Sequence, residues 1–148
     1  MKLFSKIAIA TAILAVTAYM PASAKNYMVP KAYMFGFVAS FNDSIVYFTD
    51  IQEVDSVWLS SKKNMLAGRS NYAYQLRNYC AQSLGQSNRT VVIISATKRK
   101  QVEKKLIKMK KLYMGKNTGK YDVRFISAPD FKFRPVNMDD SDSKWNRS

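Results

Sequence analysis

From Ala32 onward the large apolar residues fall at every second position. Tyr33, Phe35, Phe37, Ala39 and Phe41 share one phase of an extended chain, the period of a strand with one side turned to a core. A second aromatic and β-branched run, Ser44 to Ile51, follows Asn42-Asp43. Asn and Asp tolerate the positive φ of a tight turn, so the two runs predict a hairpin. The second run carries large apolar groups in both phases, Ile45, Tyr47 and Ile51 against Val46 and Phe48, and is expected inside a sheet. Gly36 is out of phase with the aromatics, which predicts a bulge or a point where another group packs closely on the strand. Lys25 to Lys31 reads as a polar, proline-containing lead.

The spacing becomes helical from about Lys62 to Leu84, with Met65, Tyr72, Leu76 and Tyr79 near turn intervals and Gly85 as a stop. Gly68 interrupts its start, so Val57 to Ala67 reads as a separate short helix or loop, with Asp55 as a capping residue. The unbroken run Val91-Val92-Ile93-Ile94 predicts a strand buried on both sides. Thr97 is the expected cap of a helix from Lys98 to about Met114, whose apolar stripe is Val102, Leu106, Met109 and Tyr113. Tyr121 to Ser127 alternates as a further strand, and Ala128 to Val136, with Pro129 and Pro135, is expected to add a short edge segment. The order ββαβαβ predicts an α/β fold, a two-layer sandwich in which a hairpin joins a right-handed β-helix-β unit to make a mixed sheet with two helices.

The N-terminus follows a different pattern. Lys2 and Lys6 precede an apolar stretch, Ile7 to Ala18, and Ala22-Ser23-Ala24 stands before Lys25. Positive region, short apolar core and A-x-A site together predict a cleavable signal over residues 1–24 and an exported protein, periplasmic or secreted. The stretch is shorter than the roughly twenty residues a spanning helix needs, so no transmembrane segment is expected after cleavage. Residues 25–136 are expected to form one domain, and 137–148, which turn polar and acidic, a disordered tail.

Composition narrows the chemistry. The chain has 24 Lys and Arg against 10 Asp and Glu; losing Lys2 and Lys6 with the signal leaves a net charge of +12. Such a charge favours an anionic partner, which could be a nucleic acid, a glycan or lipid headgroups. Histidine is absent, which removes imidazole as general base, metal ligand and triad member. Cys80 is the only cysteine, so no internal disulfide can form. Its place beside Leu76 and Tyr79 predicts a buried, inert thiol. No cofactor or metal-ligand pattern stands out.

The densest local signal is the basic run Lys98, Arg99, Lys100, Lys104, Lys105, Lys108, Lys110 and Lys111, continued by Lys116 and Lys120 and opposed by Glu103 alone. Clustered ammonium groups displace counterions from a polyanion without needing fixed geometry, so these residues are the candidate anion-binding set; the bland reading is a solvated, solubilising face. The carboxylates Asp50, Glu53 and Asp55 follow the second strand closely enough to suggest a cation site or a catalytic pair, or else loop and capping roles.

Two resemblances bear on function. Pro30-Lys31-Ala32-Tyr33-Met34-Phe35-Gly36-Phe37 through Phe48-Thr49-Asp50-Ile51-Gln52 resembles the N-terminal signature of a family of small exported bacterial proteins with no assigned function. That resemblance implies a bacterial origin and no particular chemistry. An aromatic hairpin followed by an arginine-bearing helix is also similar to the start of GIY-YIG nucleases. This likeness would make Tyr33 and Tyr47 the strand tyrosines and Arg69 or Arg77 the helix arginine, although Phe48-Thr49 stands where that family has Ile-Gly and its metal-binding glutamate has no clear counterpart. The sequence therefore leads first to a non-enzymatic module that binds an anionic partner or an envelope protein, and second to a nuclease or other phosphate-handling enzyme.

Overall fold

The computed structural model describes residues 25–115 and 119–139. The predicted signal, and the tail from Asp140 onward, lie outside the described residues. Five strands, β1 (Asn26–Ala39), β2 (Ile45–Thr49), β3 (Gln52–Ser60), β4 (Thr90–Ala96) and β5 (Asp122–Ile126), form one mixed sheet with two helices, α1 (Arg69–Ser83) and α2 (Arg99–Lys110). The α/β class is as expected. A π-helical turn, Lys111–Gly115, extends α2.

β1 is the spine. Tyr33 pairs with both Glu53 and Ala96, and Phe37 with both Phe48 and Val92, so β2 and β3 share one edge of β1 while β4 takes the other. β5 runs parallel to β2 on its far side. Both crossovers, β2/β3 to β4 through α1 and β4 to β5 through α2, therefore join parallel strands, but they travel in opposite directions across the sheet. Crossovers of one hand that run in opposite directions must use opposite faces. The helices divide accordingly: α1 packs Tyr72, Ala73, Leu76 and Cys80 with Met34, Val38 and Tyr47, whereas α2 packs Val102 and Leu106 with Phe35, Phe37, Val46 and Phe48. Each helix thus forms its own helix-on-sheet layer pair.

Three local features depart from the expected alternation. The lead Lys25 to Lys31 is mostly the first half of β1, paired with a third strand, β3, in the stretch read as part loop and part helix. Two β1 residues, Phe35 and Gly36, stand opposite three, Thr49, Asp50 and Ile51, which is a β-bulge dividing β2 from β3. Val29 and Ala32 reach the same core, as do Val54 and Val57, spacings that a regular strand would send to opposite faces. The phase reverses where Pro30, which has no N–H, lies near Ser56 at a φ of 53°. That reversal hid β3 in the sequence. Asp55 consequently lies within β3 rather than capping a helix, and α1 starts only after Gly68, at a φ of 73°. Phe41, beyond the end of β1, is 99% exposed instead of joining the aromatic face.

Gly36 explains how α1 sits. A Cβ there would lie 2.2 Å from Leu76 Cδ2, so the leucine occupies the space that the missing side chain leaves. The bulge meets the glycine from the strand side, since Gly36 N–H donates to Thr49 Oγ1 at 2.8 Å. Gly85 ends α1 at a φ of 64°, as expected, with Gln86 N–H donating to Cys80 O. α2 is capped by Lys98 rather than Thr97.

Residues 128–136 are not a strand. They make a turn at 128–130 and then run as a strap over the α1 face, placing Phe131 and Phe133 in the core against Tyr79 and Tyr72. Two glutamines hold it much as a neighbouring strand would. The Gln52 side chain donates to Phe131 O and accepts from Phe133 N–H, while Gln75 donates to Arg134 O and accepts from Arg134 N–H. Tyr72 Oη accepts from Val136 N–H, and Met138 lies against Gly68.

Candidate anion-binding face

α2 turns Val102 and Leu106 to the sheet, aided by Met109 and by Tyr113 of the π turn. At 3.6 residues per turn its opposite side carries Lys100, Lys104, Ile107 and Lys111 in a single stripe. The anion-binding candidates fall into three groups around this axis. Lys100, Lys104 and Lys111 point away from the core and are exposed. Lys105 and Lys108 occupy one flank, also exposed, where Lys105 joins Gln101 on the wall of a cleft with Tyr27 and Asn64. Arg99 and Lys110 occupy the other flank, where local contacts hold them: Arg99 bonds Glu103 at 3.0 Å and lies 5.9 Å from the Tyr33 ring centroid, and Lys110 Nζ lies 5.0 Å from that of Phe125. Lys98 is the exposed cap residue.

The described ion pairs on this helix involve Arg99 alone. Lys100, Lys104, Lys105, Lys108 and Lys111 therefore form a belt of ammonium groups with no carboxylate partner among the described residues. Lysines in the last helical turn, Lys108 and Lys110, also complement the negative end of the helix dipole. At that end Lys108, Met109, Lys111, Leu112 and Gly115 line an open, largely apolar hollow.

The nuclease-like residues do not converge. Tyr33 packs with the α2-face core, under Arg99, whereas Tyr47 is buried in the α1-face core, under Arg89. The pairing of Val38 with Tyr47 and of Phe37 with Phe48 makes this unavoidable, because Tyr33 keeps the phase of Phe37. Arg69 is exposed at the start of α1, and Arg77 donates to Arg89 O. The carboxylates are also dispersed: Asp50 accepts from Ala128 N–H, Glu53 pairs with Lys31, and Asp55 faces Lys31 in the ladder. Among the described residues no three His, Cys, Asp or Glu side chains are grouped as a metal would need.

Sequence reasoning missed Arg89. It is 4% exposed and ties the β1–β2 loop to the segment after α1, donating to Asp43 Oδ2 at 2.6 Å, to Ile45 O and to Gln86 Oε1. Gln86 is three residues away, but the acceptors Ile45 O and Asp43 Oδ2 are 44 and 46 residues earlier, which no short-range pattern records. Cys80, in the α1 core, has its thiol pushed up to about 11 by burial, against a smaller opposing pull from Arg89.

Comparison with family models, with curated proteins and with solved structures finds no match to this chain. Among the described residues no helix is long and apolar enough to cross a membrane.

Proposed function

We propose that this is a small exported, non-enzymatic binding module whose α2 face engages an anionic partner in the cell envelope or outside the cell. The observation that carries the reading is the belt of Lys100, Lys104, Lys105, Lys108 and Lys111, exposed and without carboxylate partners among the described residues. Lysine adds charge without the planar fork of arginine, which suits a partner read by its charge density.

The test is retention on heparin with a salt titration, comparing wild type with the triple variant Lys104→Gln, Lys108→Gln, Lys111→Gln. Wild type should elute late, and its log affinity should fall steeply with log salt, by roughly 0.7 to 0.9 per phosphate if the ligand is nucleic acid. The triple variant should elute early with a flatter slope. Equal retention of the two proteins would remove α2 from the binding surface.

A second reading draws on the cleft beside Lys105. β4 stops pairing at Tyr33, so Asn26 to Ala32 of β1 have no described strand on that side, and Tyr27, Val29, Ser95, Thr97 and Gln101 border the opening. An extended segment of another envelope protein would fit such an edge. Loss of pull-down when Tyr27 and Val29 are replaced by Lys would support this route and leave heparin retention undiminished.

A further inference from the structure

We infer that the anionic partner of α2 is a lipid bilayer surface, a conclusion that rests on the function proposed above and narrows it. The deciding observation is the company the lysines keep. Ile107 lies on the same outward stripe as Lys104 and Lys111 and is 55% exposed; Leu112 at 51% and Met114 at 45% continue the apolar surface past the end of the helix, and Phe125 at 53% lies to one side on β5, beside Lys110. Three of the ten exposed large apolar side chains thus belong to α2 and its π turn, interleaved with the lysines. A glycan or nucleic-acid groove gains little from an exposed isoleucine tip. A bilayer surface gains from both kinds of group, because the ammonium heads meet phosphates while the apolar tips enter the acyl boundary.

The fold also limits how deep this contact can go. Val102 and Leu106, which a free amphipathic helix would insert, are already committed to the sheet. Only the outward tips remain, so α2 lies flat on the headgroups as part of a folded domain, with lysine stems spread along the boundary. Charge then supplies most of the affinity and the apolar tips a smaller share. Binding is reversible by salt and weak on uncharged lipid.

The experiment is co-sedimentation of the purified protein from Lys25 onward with phosphatidylcholine vesicles, with and without phosphatidylglycerol. Three proteins sharing one N-terminus are compared: wild type, the lysine triple variant, and a double variant, Ile107→Gln with Leu112→Gln. Wild type should bind the anionic vesicles and not the uncharged ones. The triple variant should bind about a hundredfold more weakly, at roughly fivefold per lysine. The double variant should bind vesicles about tenfold more weakly, from the loss of two partly inserted side chains, yet elute from heparin at the wild-type salt concentration. Ile107→Trp gives an independent readout, a blue shift of the added indole emission on anionic vesicles. Heparin retention without vesicle binding, or vesicle binding unchanged in the double variant, overturns the lipid assignment and leaves the polyanion reading standing with a glycan or nucleic acid as partner. Unchanged heparin retention in the triple variant overturns that reading itself.

Discussion

The α1 face of the sheet buries many more side chains than the α2 face, and the two close over them in different ways. On one, α1 and the strap together cover Met34, Val38, Tyr47 and Leu76, and two glutamines fasten the strap to the sheet and helix. On the other, α2 alone lies over an aromatic floor of Phe35, Phe37 and Phe48, with Tyr113 and Tyr121 closing the end through ring contacts of 4.9 Å with Phe37 and with each other. The first face is sealed and carries the buried thiol and the closely fitted glycine. The second is covered by one helix, and all of the outward lysine belt is on it. The larger core lies on one side of the molecule and the proposed binding surface on the other.

The most severe test of that division is a pair of truncations. Leu76→Ala, fully buried beneath the strap, should cost about 4 kcal/mol, and Leu106→Ala, at the rim of the α2 core, nearer 2 kcal/mol. Urea denaturation of the two variants checks the ranking, and an equal or reversed loss would break the comparison. Gly36→Ala should cost about 2 kcal/mol, because its new methyl meets Leu76 in a packed core. In the Leu76→Ala background that cost should shrink, since the obstructing side chain is gone, and a double-mutant cycle measures the coupling.

The glutamine contacts come next. Gln52→Ala leaves Phe131 O and Phe133 N–H without their buried partner and should cost about 2 kcal/mol, whereas Gln75→Ala, at the exposed Arg134, should cost about 0.5 kcal/mol. Proteolysis within residues 128–139 should accelerate more in the first variant. Cys80 gives a weaker, pH-confined signal. Its folded-state pKa of about 11 lies above the usual 9.0, so the folded form holds the proton more tightly. Stability should therefore be level below pH 9 and fall as pH rises from 9 toward 11. Cys80→Ala should lack that component of the alkaline loss in a series of melting curves. The smallest effect is expected on the open face, where the triple lysine variant should melt within about 0.5 kcal/mol of wild type despite its loss of binding.

How far the sequence announced this arrangement differs between elements. α2 and its stripe were legible because period and burial agree from Val102 to Tyr113, and the basic candidates lay on the same helix. β1 and β2 were legible wherever alternation held. β3 was hidden because the phase reverses at Pro30 and Ser56, so a strand with correct neighbours shows no continuous period. The strap was hidden for another reason: its hydrogen bonds come from Gln52 and Gln75, some eighty and sixty residues earlier, and no local pattern encodes a partner so remote. The opposite placement of Tyr33 and Tyr47 follows from strand phase alone and could have been read from residue numbers once the Phe37–Phe48 pairing was known.

The strap also sets a rule for the order in which this protein can be made. Phe131 and Phe133 close the core that begins with Ala32 and Met34, and Gln52 waits for both of their backbones. An emerging chain that ends before residue 131 has its hairpin and α1 but leaves the rings of Tyr72 and Tyr79 and the Gln52 amide uncovered, and the β5 strand beside β2 arrives barely earlier. Contacts that span most of the chain form late and slowly. The core on this side is therefore completed only when nearly all of the polypeptide has been delivered.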